Sequence, residues 1–291
     1  MTTSSAPRIS VIVPHYNDLA NLELCLAALC AQDAVEEPFE IVVGDNNSPC
    51  GLAEVERVVG DRACVVLQTE KGAGPARNAA VAASHGDILA FIDSDCIAHP
   101  GWLAAGIACL PRSDLVGGRV DVGTAPAGQR NGVEVFEAIF AFQMRDYIER
   151  KGFAGSGNLF VTRRTFDAVG PFGTGLSEDV DWSRRARAMG FTIVYCHDAA
   201  VTHPARASWG ELTRKWSRIN RETALVERKR GASAATWKLR QGAVLLSAIA
   251  HAPRVLARPG LTFAERLRGI ETLFAIRAWR ARDALSIDYD D

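Results

Sequence analysis

Short apolar runs recur through the first third of the chain, and polar segments with helical spacing separate them. The runs at residues 9–13, 39–43, 64–67 and 88–92 predict strands. Between the first two runs, Leu22, Leu26 and Leu29 recur at the spacing of one helix face. Strands that alternate with helices in this way predict βαβ units, which place the strands in one mostly parallel sheet.

The pattern changes after residue 96. A helix is predicted at residues 100–110, a strand at 115–122, and a longer amphipathic helix at 133–150. A glycine-rich loop at 152–158 precedes a strand at 159–162, and a helix at 180–189 precedes a strand at 191–195. From residue 208 onward the spacing predicts helices only. The predicted fold class is therefore α/β, with a Rossmann-like sheet flanked by helices and a helical C-terminal extension.

Charge divides the chain at nearly the same place. Residues 206–291 hold 17 Lys/Arg and 9 Asp/Glu, a net of +8, whereas the preceding 205 residues hold 16 and 25, a net of −9. We therefore expect a domain at 1–205, with halves at about 1–96 and 97–205, and a basic extension at 206–291. The overall charge of −1 gives no field that would favour nucleic acid.

Cysteine usage and hydropathy bear on the cell compartment. The seven cysteines are scattered and form no C-x-x-C, which is typical of reduced thiols in a cytosolic protein. Residues 1–7 lack an apolar signal core, and no apolar segment reaches the roughly 18 residues of a membrane span. We expect a cytoplasmic location, with peripheral contact at the inner face of the plasma membrane left open by the basic extension.

Polar side chains follow three of the predicted strands. Tyr16 and Asn17 follow the first, Asp45 the second, and Asp93-Ser94-Asp95 the fourth. The carboxyl ends of parallel strands are where open α/β sheets bind ligands. Two carboxylates at i and i+2 can hold a hard divalent cation, although an Asp-rich turn that caps the next helix has the same spacing. The sequence has neither a G-x-G-x-x-G turn nor a Walker A loop, so a metal could neutralise a diphosphate here.

Three later features could complete such a site, and each also has a purely structural interpretation. The loop with Gly155, Ser156 and Asn158 permits close approach to a ligand or only forms a turn. Glu178-Asp179 could supply a base or only favour a helix N-terminus. His203, a lone histidine, could be a ligand or a core residue.

Taken together, these motifs resemble glycosyltransferase family 2, the inverting transferases with the GT-A fold. The resemblance runs from about residue 9 to residue 203. Its pieces follow the family's order: SVIVPHYN at 10–17, EIVVGD at 40–45, GPARN at 74–78, DSD at 93–95, GSGN at 155–158, ED at 178–179, and His203.

The resemblance implies a role for each matched position. Asp179 would be the general base, with Glu178 as the next candidate, and Asp95, His203 and Asp93 would bind Mn²⁺ or Mg²⁺. Gly155, Ser156 and Asn158 would lie on the acceptor side. The residues that would bind the nucleotide sugar are Pro14, Tyr16, Asn17, Asp45, Arg77, Asp93 and Ser94.

The implied reaction moves one sugar from a nucleotide sugar, by resemblance a UDP sugar, to a hydroxyl of a glycan or lipid-linked saccharide. Such a step would belong to cell-surface or extracellular polysaccharide biosynthesis. The Q-x-x-R-W motif and membrane spans of the processive synthases are missing, which favours a non-processive enzyme. The alternatives are a non-catalytic nucleotide-sugar-binding or scaffold protein of the same fold and a nucleotidyltransferase. The latter usually has a Gly-rich, basic first loop, which is lacking here.

The basic extension has three possible contacts. Its helices interleave apolar residues with arginine, a pattern that suits an anionic membrane surface. They could instead pack on the sheet-bearing domain or across a homo-oligomer.

Overall fold

The computed structural model describes residues 8–33, 35, 37–174 and 177–288. Within them, eight strands form one sheet in the order β3-β2-β1-β4-β7-β6-β8-β5. The strands are β1 (Ile9–His15), β2 (Phe39–Asp45), β3 (Cys64–Leu67), β4 (Ile88–Ile92), β5 (Ile97–Ala98), β6 (Leu115–Gly123), β7 (Asn158–Thr162) and β8 (Ile193–Pro204).

The first half of the sheet is parallel. Strand β1 pairs with β2 on one side and with β4 on the other, and β3 extends the sheet beyond β2. The central strands are buried on both faces, as the continuous apolar runs predicted. The register of β1 and β2 sets His15 beside Asp45 at the carboxyl ends of both strands.

The second half contains antiparallel pairs. Strand β7 runs antiparallel to β4 and to β6, and β5 runs antiparallel to β8. The β4–β7 register pairs Ile92 with Asn158. The glycine-rich loop before β7 therefore lies beside the carboxyl end of β4, which Asp93 follows directly. The sheet therefore brings two sequence motifs together.

Helices flank the sheet and continue to the C-terminus. In the sheet-bearing part of the chain, Asp18 caps the first helix, since its side chain accepts from Asn21 N. The helices are α1 (Leu19–Cys30), α2 (Leu52–Val59), α3 (Ala73–Ala83), α4 (Trp102–Cys109), α5 (Gly132–Phe140), α6 (Met144–Asp146), α7 (Arg163–Val169), α8 (Glu178–Ala188), α9 (Trp209–Lys229), α10 (Ala234–Leu256) and α11 (Phe263–Leu285).

The helix predicted over residues 133–150 is wrong as a single element. Helix α5 ends at Phe140, Phe142 has a left-handed φ of 48°, and α6 is followed by a π-helical turn at Tyr147–Lys151. Positive φ at an aromatic residue is unfavourable for helix continuation, and the apolar stripe that suggested one helix is shared by two segments.

The chain divides into two compact units. One contains the described residues up to Asp121 together with Phe142–His203, and the other contains Val122–Ala141 with the described residues from Pro204 onward. In the second unit α5 and α9–α11 share an apolar core that includes Phe136, Leu212 and Leu273. Glu137 is buried there and pairs with Arg206 and Lys215 at 2.7 and 2.9 Å.

Among the described residues, no helix combines the length and the apolar character that crossing a membrane requires.

Candidate active site

Arg77 joins two carboxylates that are far apart in sequence. Its Nη2 lies 2.5 Å from Asp93 Oδ1, just after β4, and its Nη1 lies 2.8 Å from Glu178 Oε1 on α8. The Arg77 side chain is only 4% exposed. Burial alone would lower the pKa of Arg77, but Asp93 and Glu178 outweigh it and raise that pKa. The guanidinium therefore stays charged and fixes both acidic segments at the sheet edge.

The glycine-rich loop lies against both acidic segments. A Cβ at Gly157 would stand 2.4 Å from Asp93 Oδ2, and a Cβ at Gly155 would stand 3.6 Å from Asp179 Oδ2. The first distance is impossible for a real side chain, so Asp93 occupies the space that only glycine leaves. The groups that approach the backbone of this loop closely are thus the protein's own carboxylates, Asp93 and Asp179.

Asp179 occupies the first turn of α8 beside Glu178 and is partly buried. Burial raises its pKa to about 6, and the negative charge of Glu178 adds to the effect, whereas Arg77 lowers it. Its Oδ1 accepts a hydrogen bond from Val180 N at 2.7 Å. A carboxylate with a pKa near neutrality is suited to accept a proton from a hydroxyl.

Asp95 lies close to His203. His203 Nε2, from β8, stands 3.1 Å from Asp95 Oδ2, and the Phe142 ring lies 4.6 Å from the imidazole. No cluster of three or more His, Cys, Asp or Glu side chains suited to a metal ion occurs within the described residues. Asp95 and His203 supply one oxygen and one nitrogen, which fits an ion that takes its other ligands from substrate phosphates and water.

Asp45 is fully buried and belongs to a closed hydrogen-bond network. Its oxygens contact His15 Nδ1 at 2.9 Å, Ser48 Oγ at 2.5 Å and Ser48 N at 3.0 Å. Asp18 N donates to His15 Nε2, which leaves the proton on Nδ1, facing Asp45. Asn17 N donates to Ser48 Oγ. Asp45 and its partners His15 and Ser48 thus link the loop after β1 to the loop after β2.

The remaining predicted nucleotide-site residues are spread over the same sheet edge. Tyr16 is 59% exposed, and Asn17 is exposed with a left-handed φ of 51°. Pro14 is buried inside β1, and Ser94 is partly buried in the turn after β4. Tyr16 and Asn17 are therefore open to a ligand, whereas Pro14 forms part of the sheet.

The predicted acceptor-side residues are mostly enclosed. Asn158 is fully buried; its amide donates to the carbonyl oxygens of Arg119 and Ala199, and its Oδ1 accepts from Trp102 Nε1. Ser156 is also buried. Gly155 lies beside Asp179, whereas the buried Asn158 and Ser156 are enclosed by the protein.

Three residues of this region were missed by the sequence interpretation: His15, Ser48 and Phe142. His15 could have been found, because parallel pairing of the first two strands aligns their ends. Ser48 lies three residues after Asp45, and the bonds that its N and Oγ donate to the Asp45 carboxylate are a local signal. Phe142 carried no signal, since its contact with His203 depends on a helix break.

A protein-family model described as glycosyl transferase family 2 matches residues 10–170. Glycosyltransferase AglE of Haloferax volcanii is 36% identical over 227 residues, which cover 75% of this chain and 74% of that protein. Validoxylamine A glucosyltransferase of Streptomyces hygroscopicus subsp. jinggangensis is 34% identical over 110 residues, but these span 36% of this chain and 26% of that protein.

Two solved structures share the fold. The mannosyltransferase PcManGT of Pyrobaculum calidifontis, in complex with GDP-Man and Mn²⁺, superposes with a TM-score of 0.60 at 20% identity and covers 97% of this chain and 86% of its own. S. aureus TarS 1–349 in complex with UDP-GlcNAc gives 0.53 at 17% identity and covers 94% and 72%.

Both structures have the GT-A fold that the sequence predicted. The family model spans more than half of the chain, and the resemblance to AglE extends over three quarters of it. The chain belongs to glycosyl transferase family 2 and is an enzyme of the glycosyltransferase class.

Proposed function

We propose that this enzyme moves a single sugar from a nucleotide sugar to a hydroxyl of a glycan or lipid-linked saccharide, with inversion at the anomeric carbon and with a divalent cation. The observation that carries the proposal is the arrangement at the end of β4. There Arg77 holds Asp93 and Glu178, and Asp179 stands beside them with a pKa raised to about 6.

Asp179 is the general base of this proposal. The acceptor hydroxyl loses its proton to the Asp179 carboxylate as its oxygen attacks the anomeric carbon, and the bond from that carbon to the diphosphate oxygen breaks. Asp179 Oδ2 faces the Gly155 side of the loop, where a small residue leaves room for an acceptor. One base without a carboxylate nucleophile suits a single displacement, which inverts the centre. Glu178 is less suited, because Arg77 occupies one of its oxygens.

Asp95 and His203 are the residues that would hold Mn²⁺ or Mg²⁺. The ion, when bound, would offset the charge that develops on the departing nucleoside diphosphate. Their contact across the sheet edge supports the assignment, as does the Mn²⁺ that the PcManGT complex contains. Asp93 was also a candidate ligand, but its Oδ1 pairs with Arg77, so we assign it to positioning and to the ribose side.

The nucleotide would contact the loops that follow β1 and β2. Tyr16 offers an exposed ring on which a base can stack, and Asn17 offers an amide. Asp45 would act by holding both loops, because its carboxylate oxygens are already bonded within the protein. We propose a uridine diphosphate sugar as donor; GDP and dTDP sugars are the competing donors in the test below.

The proposed acceptor is a glycan or a lipid-linked saccharide. The enzyme would work at the cytoplasmic side of the membrane in polysaccharide biosynthesis. The net of +8 over residues 206–291 supports contact with an anionic surface.

A thermal-shift screen tests the donor and the cation together. UDP, GDP and dTDP sugars are each added with Mn²⁺, with Mg²⁺, or with a chelator. We expect one nucleotide to raise the melting temperature, and only with the cation present, because a ligand that binds the native state stabilises it. Absence of any cation-dependent shift across the screen would contradict a nucleotide-sugar site.

Turnover tests the base. Asp179→Asn should reduce transfer by about a thousandfold or more while donor affinity stays within about twofold. Asp181→Asn is the matched control, because Asp181 lies on the same helix but is exposed and pairs with Arg185. Near-normal transfer by Asp179→Asn would exclude Asp179 as the base and leave Glu178 as the candidate.

A further inference from the structure

Helix α10 is apolar on two opposite sides. Its buried side contains Trp237, Ala248 and Val255, which pack within the second unit. Its exposed side is apolar as well, and we call it the α10 face. The face consists of Leu239, Gly242, Leu246, Ile249, Pro253 and Leu256.

These six residues recur at intervals of three and four, which lines them along one side of a helix. Leu239 is 78% exposed, Leu246 66% and Ile249 64%. A surface helix normally presents polar side chains to water, so a continuous apolar strip of this length marks a contact surface. The strip runs from Leu239 to Leu256, which at the rise of an α-helix makes it about 26 Å long.

Helix α11, in the same unit, also exposes apolar side chains. Helices α10 and α11 pack antiparallel, since Trp237 Nε1 donates to Ala284 O and the Val255 side chain lies against Gly269. Phe263 is 75% exposed at the start of α11, and Leu267 is 54% exposed one turn later. The hairpin therefore carries two exposed apolar strips.

The charge around the α10 face identifies its partner. Residues 228–264 contain seven Lys/Arg and no Asp or Glu. Lys238 and Arg254 are exposed, and helical geometry puts them at the two margins of the face. An apolar strip with Lys238 and Arg254 at its margins complements a bilayer with anionic headgroups. The same charges would repel each other across a contact between two copies.

We propose that the α10 face docks this enzyme on an anionic phospholipid membrane, lying in the headgroup region and not spanning the bilayer. The leucine and isoleucine side chains enter the apolar boundary, and Lys238 and Arg254 reach the phosphates. The proposal deepens the proposed function, on which it rests for the lipid-linked acceptor that such docking would bring within reach.

Vesicle flotation tests the surface directly. The full chain is floated with phosphatidylcholine vesicles alone and with vesicles that contain about one-third phosphatidylglycerol. We expect binding to the anionic vesicles, weaker binding to the neutral ones, and a decrease at about 0.5 M NaCl that leaves an apolar remainder. Failure of the wild-type chain to float with anionic vesicles would overturn the proposal.

Two variants assign the binding to the face. Leu246→Glu with Ile249→Glu should weaken vesicle binding by at least about tenfold, because charges cannot enter the apolar boundary. Leu24→Glu with Met189→Glu is the matched control, since both residues are exposed apolar side chains outside this unit. Equal flotation of both double variants would overturn the proposal. So would a wild-type dimer in light scattering that Leu246→Glu/Ile249→Glu converts to monomer, because the face would then join two copies.

Donor binding separates this proposal from the catalytic one. The Leu246→Glu/Ile249→Glu variant should keep the cation-dependent thermal shift with nucleotide sugar, and Asp179→Asn should float like the wild type. If the wild type floats with anionic vesicles but shows no thermal shift with any nucleotide sugar, the donor site is contradicted and the membrane face is not. If it shows the thermal shift but does not float, the membrane face is contradicted and the donor site is not.

Discussion

His203 Nε2 lies 3.1 Å from Asp95 Oδ2, so the last residues of the sheet-bearing unit meet the turn that follows β4. The described residues contain no group of three or more His, Cys, Asp or Glu side chains placed to hold a metal ion. The two side chains supply one oxygen and one nitrogen, so a cation bound there would take its other ligands from a diphosphate and water.

Removing either member of this pair should abolish the cation dependence of nucleotide binding. Asp95→Asn and His203→Gln should each lower donor affinity by about tenfold or more with Mn²⁺ present and change it little with chelator. Isothermal titration measures both conditions. His197→Gln, an exposed histidine on the same strand, is the control. A loss of affinity that is the same with and without cation would assign the pair a structural role.

Asp179→Asn should stabilise the protein at neutral and alkaline pH. The folded pKa of about 6 lies above the ordinary value of 3.8 because burial disfavours the charged form. The stability that Asp179 contributes is complete below pH about 4 and is lost as the pH rises through about 6. The neutral amide avoids this loss, so the variant should gain about 1–3 kcal/mol at pH 8 and about a third as much at pH 4.5.

Urea unfolding at the two pH values measures this gain. Asp181→Asn should change the free energy of unfolding by less than about 0.5 kcal/mol at both, because Asp181 is exposed. If Asp179→Asn were no more stable than the wild type at pH 8, burial would not raise the pKa of the Asp179 carboxyl to about 6.

The same carboxyl sets a pH profile for the reaction. A general base must be deprotonated, so kcat/KM should fall about tenfold per pH unit below pH 6 and level off above it. Transfer rates from pH 5 to pH 8, at saturating cation, give the profile. Asp181→Asn should keep the same acid limb, whereas a wild-type profile that is flat between pH 5 and 7 would exclude Asp179 as the titrating base.

Much of this sheet edge could be predicted from the sequence. The apolar runs located the strands, and Asp93 and Asp95 follow one of them directly, so their position after β4 needed no tertiary information. Parallel pairing also implied that Tyr16, Asp45 and Asp93 lie near one another. These features depend on local pattern and on the rule that parallel strands end on one side.

Burial could not be predicted in the same way. Asp45 and Asn158 were both expected to contact substrates, but both are fully buried with their polar atoms bonded to protein. A polar residue at a strand end can face the crevice or the interior, and sequence spacing does not distinguish the two. Only the three-dimensional positions of His15 and of the Arg119 and Ala199 carbonyl groups reveal the difference.

Arg77 should not be replaceable by lysine. A single ammonium group cannot reach Asp93 and Glu178 together as the two guanidinium nitrogens do, and one carboxylate would remain unpaired. Arg77→Lys should lower the free energy of unfolding by about 1–3 kcal/mol. Arg57→Lys is the control, because its pair with Glu54 is exposed to water and therefore contributes little to stability. If chemical denaturation gave the same loss in free energy of unfolding for both variants, the buried bridge would contribute no more to stability than the exposed pair.

Two glycines of one loop should respond differently to alanine. The Cβ of Gly157→Ala would stand 2.4 Å from Asp93 Oδ2, so Asp93 must move and its bond to Arg77 must weaken. The Cβ of Gly155→Ala would stand 3.4 Å from the Met144 side chain and 3.6 Å from Asp179 Oδ2, which are ordinary contacts. We expect Gly157→Ala to destabilise the protein by about 1–3 kcal/mol and to weaken donor binding.

Gly155→Ala should instead keep stability within about 0.5 kcal/mol and slow transfer, because the added methyl group lies beside the base where the acceptor would approach. Thermal unfolding, donor titration and transfer rates on both variants separate the two effects. If Gly155→Ala weakened the donor and left transfer from bound donor unchanged, the loop would belong to the nucleotide side, and the acceptor would have to approach Asp179 from elsewhere.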